Sequence, residues 1–138
     1  MVILLTGCDS PWRLAPSRGI APSLRDAANH GAGTHVRLAE LTDFGWQRFF
    51  WFGPYTSRTR AETALGFAWP EFDQFHLERS DAFSLLVFVS DGAVVHVESM
   101  PRGAGEFGSQ ANGQAFTPAS ANFVVERRAG VNVLVPAS

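Results

Sequence analysis

The sequence predicts an α+β domain, a single antiparallel β-sheet of about five to seven strands carrying two short helices. Three stretches predict it. Leu41–Ser57 (LTDFGWQRFFWFGPYTS) gathers two of the four tryptophans, four of the twelve phenylalanines and the single tyrosine. That much aromatic surface in one run belongs in a packed core. Ser84–Ser90 and Ala93–Met100 flank Asp91-Gly92, a dipeptide favoured in two-residue hairpin turns. Ala121–Arg128 and Val131–Val135 flank Ala129-Gly130 and read as a closing hairpin.

The remaining elements follow in chain order. Ser23–Gly31 reads as a short helix, with Ser23 as N-cap, Asp26 in the first turn and Gly31 at the end. Thr34–Leu41 alternates through Val36 and Leu38 as a strand. Trp46–Phe52 is the expected central strand. Trp46, Arg48, Phe50 and Phe52 lie on one face, with Gln47, Phe49 and Trp51 on the other. Gly53-Pro54 stops it. Thr59-Arg60-Ala61-Glu62 is a capping box opening a helix to Leu65, with Gly66 as its C′ residue. Phe67, Trp69, Phe72 and Phe75 drape over the sheet, and Gln74–Arg79 reads as a short strand. The Asp91-Gly92 turn sets a register in which Phe88 opposes Val95, Leu86 opposes Val97, Val87 opposes His96 and Leu85 opposes Glu98.

Composition narrows the function classes. A chain of 138 residues with 46% hydrophobic and 17% charged residues is a globular chain of one-domain size. A net charge of −2 supplies no basic field for nucleic acid. A single cysteine, Cys8, excludes an internal disulfide. Nothing in the sequence calls for a cofactor.

Two motifs bear on chemistry. His76-Leu77-Glu78 and His96-Val97-Glu98 repeat an H-x-E step, and on strands residues i and i+2 share a face about 6.5 Å apart. Were the two strands neighbours, His76, Glu78, His96 and Glu98 would form a metal-ligand set suited to zinc or iron. Solvated side chains on a sheet face are the plainer alternative. Gly103-Ala104-Gly105-Glu106-Phe107-Gly108 matches G-x-G-x-x-G, but SQANGQAFTPAS follows it without helical period. A dinucleotide loop needs a helix there to receive the pyrophosphate, so the stretch reads as a flexible loop. Phe49 and Trp51, opposite the Trp46 face, form a candidate binding surface for a partner or glycan. The alternative is a second core layer under the helices, the arrangement the rarity of bare aromatic patches favours.

The front of the chain carries an address. Leu5-Thr6-Gly7-Cys8 resembles the bacterial lipobox, a small-residue cleavage site behind an apolar run. The resemblance implies acylation of Cys8 and anchoring in a lipid bilayer by more than one chain. Asp9–Ser23, with three prolines, suits a semi-flexible tether. The chain then divides into residues 1–7 (remnant of a signal peptide), 8–33 (acylated Cys, proline-rich tether and short helix) and 34–138 (globular α+β domain). Trp46, the run Phe52-Gly53-Pro54-Tyr55-Thr56-Ser57, Leu65-Gly66-Phe67 and Leu85–Val89 with its turn resemble small bacterial lipoproteins. The likeness spans Leu41 to Phe123 and implies a place in the cell envelope, facing the periplasm or exterior, without catalytic residues. A membrane-anchored binding or accessory domain, with an envelope protein or ligand as partner, is the function expected. A small metal-dependent or hydrolytic enzyme using the His/Glu set, and an envelope inhibitor or immunity-type protein, are the alternatives.

Overall fold

The computed structural model describes residues 19–102 and 106–137. It is α+β, but the expected single sheet is replaced by two antiparallel sheets of three strands each. Helix α1 (Ile20–His30) leads into β1 (His35–Arg37) and a single helical turn, α2 (Leu38–Leu41). Strand β2 (Arg48–Phe52) is followed by α3 (Arg58–Leu65) and by two 3-10 turns, Pro70–Phe75 and Leu77–Arg79. The hairpins β3 (Phe83–Ser90) with β4 (Ala93–Pro101), and β5 (Asn122–Arg128) with β6 (Val131–Pro136), complete the chain. One sheet has the order β1-β5-β6 and the other β2-β3-β4. The strand expected at the centre is therefore an edge, and β3 is the centre.

The split has a physical origin in the long connection from β4 to β5. Among its described residues that segment adds no strand; it bridges the two sheets. The Phe116 N–H donates to the Phe49 carbonyl (2.9 Å) and the Phe49 N–H to the Phe116 carbonyl (2.7 Å), covering the free edge of β2. The Leu134 N–H donates to the Glu106 carbonyl and the Gly108 N–H to the Leu134 carbonyl, both at 2.8 Å, on β6. The β2 and β6 edges are thereby covered without the two sheets being joined into one.

Two apolar groups result. Phe49, Trp51, Leu86, Phe88 and Met100 face Phe123, Val125 and Leu134 across the gap between the sheets. On the opposite face of β2-β3-β4, Phe50, Phe52, Leu85 and Val87 pack beneath Ala61, Leu65, Trp69, Phe72 and Leu77. The middle sheet is covered on both sides, which accounts for the unbroken apolar run in β3. The alternation of β2 is as expected from Arg48 onward. Trp46 precedes the strand and packs on the inter-sheet side instead.

Local signals mostly set the helices, with shifts at their starts. The capping box at Thr59 is displaced: α3 begins at Arg58, and the Ser57 hydroxyl accepts from the Arg60 N–H at 3.1 Å. Glu62 instead accepts from the Trp69 N–H and pairs with Arg58. Gly66 closes the helix in the left-handed region (φ 85). Ser57→Ala should cost about 1 kcal/mol by loss of this cap, read as a shift in the urea midpoint. The expected strand at Gln74–Arg79 is the pair of 3-10 turns, joined at His76 with φ 58. Of Thr34–Leu41, only His35–Arg37 is strand.

The β3–β4 turn has the expected left-handed pair, Asp91 (φ 53) and Gly92 (φ 73). Its register holds for Ser90–Ala93 and Val89–Val94 and then slips, because Val95 is a bulge and Phe88 pairs with His96. Leu86 then opposes Glu98, and Leu85 opposes Ser99. One extra residue turns every later side chain of β4 to the other face.

Candidate functional site

The bulge at Val95 decides where the second H-x-E step points. Without it, His96 and Glu98 would lie beside Val87 and Leu85. With it, they enter the inter-sheet side beside Phe88 and Leu86. His96 is buried at 2% exposure and sits against Phe44 (4.7 Å between ring centroids) and Phe88 (5.8 Å). Its Nε2 lies 2.8 Å from Glu98 Oε2.

Glu98 faces a second set of donors. The Ile20 N–H lies 2.9 and 3.0 Å from its two carboxylate oxygens, and the Ala21 N–H is 2.8 Å from Oε1. These are first-turn amides of α1, which has no side-chain cap of its own. The carboxylate does the work of an N-cap from 78 residues away in sequence. Burial by itself pushes the Glu98 pKa up. The His96 hydrogen bond and the Ala21 and Ile20 amides outweigh it, holding the group below its ordinary value. An ionised carboxylate only accepts, so the His96 Nε2 facing it carries the proton and donates.

Gly19 makes the approach feasible. It has φ 68, and a Cβ there would lie 3.3 Å from Glu98 Oε1 and 3.2 Å from Pro22 Cδ. At the other end of α1, Asn132 Nδ2 donates to the Ala28 carbonyl at 2.8 Å. Between these ties Ile20, Leu24 and Ala28 are buried in the inter-sheet core. Helix α1, grouped with the tether from sequence, is thus packed into the same body as the sheets.

Sequence placed the start of this helix at Ser23, whereas it begins at Ile20 with Gly19 before it. The signal for the earlier start is Pro22, a residue compatible with a helix's first turn. The Glu98 contact itself had no local signal.

The other candidate residues lie apart from this clasp. His76 and Glu78 are exposed on the 3-10 turns. They border an open depression of about 400 Å³ with Phe72, Asp73, Leu77 and Arg79. The Leu77 between them packs on the outer face of β2-β3-β4, while His96 packs on the inner face. The two H-x-E steps are therefore on opposite sides of one sheet. Among the described residues, no group of three or more His, Cys, Asp or Glu is placed to hold a metal ion. Phe49 and Trp51 are buried, at 0% and 4% exposure, so the candidate binding surface is interior. The Trp51 indole N–H has no hydrogen-bond partner among the described residues. Cys8 and residues 103–105 lie outside the described residues. Gly108 is followed by a single 3-10 turn, Ser109–Ala111.

Comparison with protein-family models, with curated proteins and with solved structures found no significant match.

Proposed function

We propose that the chain is a lipid-anchored protein of the cell envelope whose α+β domain is a binding or accessory module. The observation that carries this reading is Leu5-Thr6-Gly7-Cys8, followed by a proline-bearing stretch that delivers the chain to the clasped start of α1. Acyl chains on Cys8 would hold the protein at the bilayer. The clasp would pass any pull on that stretch directly into β4. The binding-module reading is favoured further by how the interior acid–base pair is used. Glu98 and His96 are engaged with each other and with backbone amides, and His96 is sealed from solvent. The partner is an envelope protein or ligand.

The test is lipidation. Expressed from its full natural start in a bacterial host, the protein should partition with membranes and carry a mass increment of acyl chains. Cys8→Ala should be soluble after cell breakage and lack the increment. Equal membrane association and equal mass for the two would overturn the proposal.

A further inference from the structure

We propose that α1 is a releasable strap over the inter-sheet core, hinged at Gly31–Gly33 and latched to β4 by the Glu98 carboxylate. The inference rests on the described residues alone and holds whether or not Cys8 is acylated.

The two ends of the helix are attached to different sheets. Its N-terminal amides are held by Glu98 of β4, in the β2-β3-β4 sheet. Its C-terminal end is held by Asn132 of β6, and just beyond it the Gly33 N–H donates to the Val125 carbonyl of β5 at 2.8 Å. Both of these belong to the β1-β5-β6 sheet. Gly31 (φ 100) and Gly33 (φ 93) flank Ala32, and a Cβ at either glycine would meet nothing within 4 Å. The hinge is open to solvent and made of residues that tolerate large backbone rotations.

The latch is electrostatic and concentrated on one side chain. An isolated helix of 11 residues is marginal in water, so α1 depends on its contacts. Those contacts are few next to the aromatic groups that hold the sheets. Ile20 and Leu24 are its only large buried side chains, beside Ala21 and Ala28. Among the described residues, His96 is the one titratable side chain that faces Glu98. β3 brings Leu86 and Phe88, the connection before β2 brings Phe44, and Arg25, Asp26 and His30 of α1 are exposed. On β4 itself the neighbour is His96. Protonating Glu98 removes the charge that two amides and an imidazole N–H all point at. The helix then swings about Gly31–Gly33, giving up the Asn132–Ala28 hydrogen bond and taking Ile20 and Leu24 out of the inter-sheet core.

Native-state hydrogen exchange of the full chain tests this. The readouts are the amides of Leu24, Arg25, Ala27 and Ala28, which lie beyond the two that bond Glu98 directly. Once the variant's loss of global unfolding free energy, read by urea, is subtracted, these amides in Glu98→Gln should still exchange at least about tenfold faster than in the parent. Val87 and Val125, in the middle of the two sheets, should stay within about twofold after the same subtraction. The parent protein should show the same selective gain as the pH is lowered from 7 down through and below the carboxylate range, after correction for intrinsic rates. This second arm needs no variant to fold. A uniform loss of protection in α1 and both sheets, or no change in α1 in either arm, would overturn the proposal.

Discussion

Phe88→Ala is expected to cost about 3–5 kcal/mol of unfolding free energy, the largest effect of any single truncation proposed for this chain. Phe88 is fully buried on the central strand β3. Its ring lies 5.0 Å from Phe49, 5.2 Å from Trp46, 5.3 Å from Phe44 and 5.8 Å from His96, centroid to centroid. Truncation removes the shared neighbour of four rings, and β-strands on both sides limit collapse into the space. Urea unfolding should show a lowered midpoint with an unchanged slope, and the thermal midpoint should fall by roughly 10–20 °C. A loss below about 1.5 kcal/mol would mean that the inter-sheet packing around Phe88 is not as described.

Glu98→Gln is expected to cost about 2–4 kcal/mol at neutral pH. The carboxamide keeps the shape but loses the charge, and it offers one acceptor oxygen to donors that now occupy two. The dependence on pH follows from the direction of the shift. The folded-state pKa of Glu98 is below its ordinary value. The contribution is therefore complete above the unfolded value of about 4.3 and fades as pH falls through the folded one. Equilibrium unfolding of the parent and Glu98→Gln should differ most at pH 6–7, and the gap should narrow as pH falls below about 4.3 and on through the folded-state value. A gap independent of pH would show that Glu98 contributes through packing rather than charge.

How much of the fold was legible depended on how local its causes are. The Asp91-Gly92 turn was legible because Asp and Gly tolerate the positive φ that both adopt, whereas the second turn was marked by Gly130 alone, Ala129 taking φ 51 against the preference of its residue type. Gly66 ends α3 for a similar reason. The aromatic segment around Trp69 and Phe72 covers the sheet as expected, since large apolar side chains in a short run have to be buried somewhere. The count of strands fell in the expected range, while their division into two sheets did not follow. Pattern marks which residues pair with water and which do not; it does not say which strands are neighbours.

The candidate site shows the same limit more sharply. That His96 and Glu98 share a side was readable from their spacing of two. Which side was not, because the bulge at Val95 depends on how both faces of β4 pack and leaves no mark in a run of valines. The proposed meeting with His76 and Glu78 failed because that segment turns in 3-10 geometry around His76. Phe49 and Trp51 became interior once a second sheet existed to cover them.

By itself the sequence determined the α+β class, the hairpin turns, the helix ends at Gly31 and Gly66, and the aromatic weight of the core. These depend on backbone preference and hydrophobicity, which act over a few residues. Only the tertiary structure decided the pairing of strands into two sheets, the burial of Phe49 and Trp51, and the joining of Glu98 to the first amides of α1. Each of these depends on contacts between segments far apart in the chain. Glu98 and Ile20 are 78 residues apart, and no local signal carries the energy of a carboxylate meeting unpaired helix amides across that span.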